Sequence, residues 1–130
     1  MSNVSKLLNR KNTRQAVSGP KEGTVLSINK KGFHRIYYQD WGHEESTETI
    51  FCVHGLTRNS RDFDKIAGVL AKNRRVICPD TAGRGKSDWL PNFHDYQIPQ
   101  YNLDLALLAA SIKCERFDLI GTSLGGLMGM

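Results

Sequence analysis

The sequence predicts an α/β fold: a mostly parallel sheet with helices on both faces and an antiparallel N-terminal hairpin at one edge. Three observations predict it. From residue 49 onward, short apolar runs alternate with helix-period apolar stripes, the pattern of βαβ units. The runs are continuously apolar rather than alternating, as strands covered on both faces are. Ahead of them lie two runs rich in aromatic and β-branched residues, separated by turn chemistry.

The elements follow in order. Residues 1–22 are polar, contain the breaker cluster Ser18-Gly19-Pro20, and are expected to be a basic flexible tail, leaving one domain over 23–130. Thr24–Ile28 and His34–Trp41 read as the two strands of an edge hairpin, joined by Asn29-Lys30-Lys31-Gly32. Thr49–Val53 reads as a buried strand. Phe63, Ile66, Ala67 and Leu70 fall at i, i+3, i+4 and i+7, one stripe of a helix over 60–72 with Asn59 or Ser60 as N-cap. Arg75–Cys78 reads as a second buried strand. Tyr101, Leu105, Leu108 and Ile112 mark a second helix, Phe117–Ile120 a third buried strand, and a further helix begins at Gly125.

Composition narrows the function classes. With 130 residues, 39% hydrophobic and 24% charged, the chain has the make-up of one soluble globular domain. No apolar stretch approaches the ~20 residues of a membrane span. No apolar segment follows the basic residues Lys6, Arg10, Lys11 and Arg14, so a secretory leader is not expected. Cys52, Cys78 and Cys114 are odd in number and widely spaced, and read as reduced, buried thiols of a cytoplasmic protein rather than as a disulfide framework or metal site. The net charge of +5 belongs to the leading segment: residues 1–35 hold eight Lys or Arg and one acid, residues 36–130 ten and twelve. A basic arm binds nucleic acid or anionic lipid in some proteins, but this one lacks the interleaved aromatics of a nucleic-acid platform. No nucleic-acid or membrane partner is expected, and nothing in the sequence fixes an oligomeric state.

Three motifs sit directly after the three buried strands. Gly121-Thr122-Ser123-Leu124-Gly125 is a G-x-S-x-G pattern between a strand and a helix. That context puts Ser123 on a sharp turn, its hydroxyl clear of the sheet, with small flanking residues letting strand and helix approach closely. His54-Gly55-Leu56 follows the first buried strand; glycine there is expected to permit a backbone conformation that aims the next N–H into the site. Acyl transfer needs two such donors where an oxyanion develops, and the Leu56 and Leu124 amides are the natural pair. The third motif, Asp80-Thr81-Ala82-Gly83-Arg84-Gly85-Lys86-Ser87, suits a sharp loop over a strand end. Its Gly85-Lys86-Ser87 invites a reading as a phosphate-binding loop, but that motif needs glycine where Asp80 stands, and Asp88–Asn92 breaks the helix that should follow.

Taken together and in this order, the three motifs resemble the α/β-hydrolase superfamily, in the branch with His-Gly in the oxyanion loop (His54, Gly55) and Asp-x-x-Gly-x-Gly-x-Ser in the later loop (Asp80, Gly83, Gly85, Ser87). Gly121, Ser123 and Gly125 supply the elbow, and the likeness covers about residues 24–130. The resemblance implies a sheet of about eight strands and nucleophilic attack by Ser123 on an ester, amide, thioester or related small-molecule carbonyl compound, without organic cofactor or metal. Serine at the nucleophile position argues against branches that use aspartate there.

The resemblance also implies a catalytic acid and a histidine base later in the chain than Ser123, and only seven residues follow it. His54 is therefore expected to brace its loop, His34 and His43 to flank the hairpin, and His94 to lie in a surface loop. The chain is expected to be the N-terminal part of an α/β-hydrolase domain, inactive and insoluble or molten when made alone, because the strand leading to Ser123 would present an unpaired edge. The alternative is a non-catalytic remnant or binding protein of the same fold.

Overall fold

The computed structural model describes residues 19–130, so the structure of most of the basic tail expected over 1–22 lies outside the described residues. Strands β1 (Lys21–Asn29), β2 (Gly32–Trp41), β3 (Thr49–Val53), β4 (Arg75–Pro79) and β5 (Asp118–Gly121) form one sheet in the order β1-β2-β4-β3-β5. Helices α1 (Asp64–Leu70), α2 (Ile98–Ser111) and α3 (Leu124–Met128) complete the elements. β3 is parallel to both β4 and β5, whereas β1 and β2 are antiparallel. The hairpin lies at the sheet edge, and the sheet is mixed with a parallel centre.

The parallel strands are apolar on both sides because both sides are covered. Phe51, Val53 and Ile77 face α2 and α3, where they pack with Tyr101, Leu105, Leu108 and Met128. Ile50, Cys52, Val76 and Cys78 alternate to the other face and meet Phe63, just before α1, and Ala67 within it. Each large side chain buried this way stabilises the fold by about 1.5–3 kcal/mol before the entropic cost of ordering it. Cys52 and Cys78 are free thiols buried between neighbouring strands; Cys114 is also free but only half-buried, unlike the fully buried thiol expected. The Cys78 pKa is raised by its hydrogen bond with Cys52 and by burial, which disfavours the thiolate.

Several boundaries differ from the periodicity reading. The stretch 60–72 divides into a 3₁₀ turn, Ser60–Phe63, capped by the Asn59 side chain, followed by the shorter α1. Ile66, placed on the buried stripe by its spacing, is 43% exposed, because the helix turns Ala67, with Leu70 and Ala71, toward the sheet and leaves Ile66 at the edge of that face. β5 is half-exposed rather than buried, since β3 is its sole strand neighbour among the described residues. His34 lies within β2, near the turn of the hairpin. It is buried with Ser27 and Asp104 in a polar cluster that pins α2 to the hairpin.

A second polar anchor joins β2 to β4. The Arg75 guanidinium makes a two-pronged contact with the Asp40 carboxylate, at 2.7 and 3.1 Å, and both side chains are nearly buried.

Candidate functional site

Parallel β3, β4 and β5 all end on the same side of the sheet, so the segments after Val53, Pro79 and Gly121 gather there. This is where an open α/β sheet offers a site, because loops converge above strand ends that the helices leave uncovered.

Ser123 stands between β5 and α3 with φ 53° and ψ −112°. A positive φ in a residue with a Cβ is strained by about 1–3 kcal/mol and persists only where the surroundings enforce it. They do so here. The Thr122 N–H donates to the Val53 carbonyl at 3.1 Å, and the Gly125 N–H to the Thr122 carbonyl at 3.0 Å. A Cβ on Gly121 would lie 2.3 Å from the Gly125 carbonyl carbon. The turn is thus as tight as the backbone allows. Ser123 itself is exposed, while the neighbouring Leu124 is buried as the first residue of α3.

His54-Gly55-Leu56 lies directly against this turn. A Cβ on Gly55 would sit 3.5 Å from the Ser123 Cβ, an ordinary contact. Gly55 is not among the glycines with positive φ, so a Cβ would fit here without steric or backbone strain. His54 is wholly buried. Its Nδ1–H donates to the Gly55 carbonyl at 2.7 Å, and its Nε2 accepts the Thr81 N–H at 3.0 Å. Both ring nitrogens are therefore occupied in tying the loop after β3 to the loop after β4. Burial holds the His54 pKa below the ordinary histidine value, which keeps the ring neutral and suited to that pairing.

Asp80 organises the loop after β4. One carboxylate oxygen accepts the Ser60 N–H at 2.7 Å and the other the Lys86 N–H at 2.9 Å. The Asp80 carbonyl accepts the Ser87 hydroxyl at 2.6 Å, and the Ser87 oxygen in turn accepts the Tyr37 N–H at 2.8 Å. Gly85 has φ 51°, and a Cβ there would lie 2.1 Å from an Asp80 carboxylate oxygen, so the loop folds over the carboxylate only with glycine. Gly83 is likewise packed against the Tyr96 ring. Asp80 therefore serves as a loop organiser with both oxygens engaged.

The geometry thus brings Ser123, His54, Gly55 and the Asp80 loop together, and separates the other histidines. His94 is exposed in a 3₁₀ turn, Phe93–Asp95. The Ser27–His34–Asp104 cluster contains the residue types of a catalytic triad, yet Ser27 donates to Asp104, not to His34, and all three are buried. Among the described residues no group of three His, Cys, Asp or Glu side chains is placed to hold a metal ion. The motif reading missed Arg84 and Tyr101. Arg84 is the variable residue inside a motif and Tyr101 reads as core, so neither carries a local signal.

Comparison with known proteins agrees with this architecture. A family described as alpha/beta hydrolase fold matches residues 48–130. A 3-hydroxybutyrate-oligomer hydrolase of Cupriavidus necator is 45% identical over 113 residues, covering 87% of this chain and 39% of that protein. A serine hydrolase-like protein of Danio rerio is 31% identical over 68% of this chain and 27% of its own length. The crystal structure of an alpha/beta hydrolase from Novosphingobium aromaticivorans superposes with a TM-score of 0.78 at 39% identity, covering 87% of this chain and 39% of that one. The chain spans less than half the length of each of these relatives. With its strand order, its strand-end turns and a match over residues 48–130, the chain belongs to the alpha/beta hydrolase fold family.

Proposed function

We propose that this chain is the nucleophile-bearing N-terminal portion of a serine hydrolase acting on a carboxylic ester. The observation that carries the reading is Ser123: exposed, held at φ 53° between strand and helix, on a turn tied to the end of β3 by the Thr122 N–H to Val53 carbonyl bond. Glycine would take this conformation with less strain, so a side chain kept here supports a use for the exposed hydroxyl.

In this reading the Ser123 oxygen attacks the ester carbonyl carbon. The carbonyl electron pair moves onto oxygen, and the Leu56 and Leu124 N–H groups receive the oxyanion. Among the described residues the Leu56 N–H has no protein acceptor, and the Leu124 N–H is the first of α3, beyond reach of an intrahelical partner. Collapse of the tetrahedral adduct breaks the ester C–O bond, and the alcohol leaves with the proton taken from Ser123. Water then releases the acid from the acyl-serine. The base that carries the proton is not His54, whose nitrogens are both committed. In this reading the base and its carboxylate partner come from the part of a relative-length polypeptide that the match, 39% of the Cupriavidus necator protein, does not cover. Similarity to the Cupriavidus necator protein favours esters of short hydroxy acids as the substrate class. Three free thiols favour a reducing compartment such as the cytoplasm.

The test uses the polypeptide from the complete reading frame, assayed on p-nitrophenyl butyrate and on a linear 3-hydroxybutyrate dimer. Ser123→Ala is expected to lower kcat by about a thousandfold or more, and a fluorophosphonate is expected to label Ser123. Wild-type turnover by Ser123→Ala refutes the proposal, and a folded wild-type protein with no turnover and no labelling favours a non-catalytic binding protein.

A further inference from the structure

Arg84 reaches back across the site from the loop after β4, and its guanidinium is held from several directions. Its Nε–H donates to the Leu56 carbonyl at 2.8 Å. Its Nη1–H groups donate to the Ala82 carbonyl at 2.8 Å and to the Tyr101 hydroxyl at 2.7 Å. The guanidinium carbon lies 5.3 Å from the Tyr101 ring centroid and 5.7 Å from that of Tyr96. Tyr101 belongs to α2 and is buried, so the arginine ties a loop tip to the packed body of the domain.

All three hydrogen-bond acceptors are neutral, and none of the ion pairs among the described residues involves Arg84. Neutralising a carboxylate is therefore not what this arrangement does. The planar fork suits the simultaneous placement of several fixed acceptors, which a lysine ammonium does not match. The segment it grips is otherwise lightly held. Leu56 is 55% exposed, and one internal turn bond, from the Arg58 N–H to the Gly55 carbonyl at 3.1 Å, spans it. His54 fixes the near side of this segment from within the core. Arg84 fixes the far side through the Leu56 carbonyl. With the Gly55 carbonyl held by the His54 ring and the Arg58 N–H, and the Leu56 carbonyl tethered by Arg84, the peptide between them has little freedom to turn its N–H away.

We infer that Arg84 is a positioning residue: it holds the Leu56 segment so that the Leu56 N–H points at the oxyanion formed on Ser123. This rests on the serine-hydrolase reading above. The consequence is a kinetic signature. A misdirected donor weakens the transition state more than the bound ester, so kcat falls and KM stays nearly constant.

The experiment compares Arg84→Met, Arg84→Lys and Tyr101→Phe in the complete polypeptide, on p-nitrophenyl butyrate and on a monoester carrying a free carboxylate. Arg84→Met is expected to lower kcat about ten- to a hundredfold on both substrates, with KM within about twofold. Its inhibition constant for an alkyl boronic acid should rise in parallel with the loss of kcat/KM. Arg84→Lys should recover part of the loss, and Tyr101→Phe, which removes one anchor and keeps the ring, should show a smaller fall of the same kind. If Arg84→Met does not fold, Arg84→Lys and Tyr101→Phe make the same comparison. Unchanged kcat overturns the inference. So does a defect confined to KM for the carboxylated ester, which would make Arg84 a substrate-binding group. Turnover that survives Ser123→Ala removes the underlying reading instead, whatever the Arg84 variants show.

Discussion

The two adjacent glycines of α3 should respond to alanine in opposite directions. A Cβ added at Gly125 would lie 2.1 Å from the Val53 carbonyl oxygen and 2.7 Å from its carbon. Non-bonded heavy atoms settle at about 3.5 Å, so α3 must retreat from β3 by more than about 1 Å. The same Val53 carbonyl accepts the Thr122 N–H, so the retreat pulls directly on the turn that carries Ser123. Forced overpacking costs about 1–3 kcal/mol, and weakening that hydrogen bond adds about 1 kcal/mol. Gly125→Ala is therefore expected to destabilise by about 2–4 kcal/mol and, by displacing Ser123 and the Leu124 N–H, to lower kcat/KM up to about a hundredfold. At Gly126 the added Cβ would meet the Gly121 carbonyl oxygen at 3.5 Å, an ordinary contact, and the residue is helical. Gly126→Ala should therefore be neutral or stabilising by up to about 1 kcal/mol. Urea unfolding and ester hydrolysis by the complete polypeptide measure both effects. Equal behaviour of the two variants, or the reverse order, refutes the argument that α3 is pressed against β3 at Gly125.

Two further outcomes follow from the loops. Asp80→Asn keeps the side chain's shape but leaves one amide group facing an N–H donor, at either Ser60 or Lys86. It should cost about 1–3 kcal/mol in urea unfolding, and Asp80→Asn with wild-type stability would show that the double acceptance matters little. The His54 pKa lies below its ordinary value of 6.5, chiefly through burial. The unfolded chain therefore takes up a proton that the folded ring resists. Stability contributed by neutral His54 is complete above about pH 6.5 and falls as pH drops from there toward the lower folded value. His54→Asn should remove this slope between about pH 7.5 and pH 5 while lowering stability above it, and an identical pH profile in both proteins would exclude the assignment.

Local chemistry made much of this protein legible in its sequence. Strand and helix periods reported the sheet, because continuous apolar runs such as Thr49–Val53 suit strands covered on both faces. Turn chemistry reported the hairpin, and the glycines around Ser123 reported a backbone too crowded for side chains. These are short-range constraints, and each is written within about ten residues. Other features were decided only by tertiary structure. The exposure of Ile66 depends on which side of α1 the sheet takes, and it takes the Ala67 side. The nearness of the Gly55 and Ser123 loops depends on β5 lying beside β3. The burial of His34 beside Asp104, and the grip of Arg84 on Leu56 and Tyr101, join groups that are distant along the chain. Sequence periodicity tells which face of an element is apolar, whereas a hydrogen bond between loops depends on the relative placement of whole elements, which packing alone sets. For that reason Ser123 could be singled out from its own neighbours, while the residues that hold its surroundings in place became visible only once the strands were aligned.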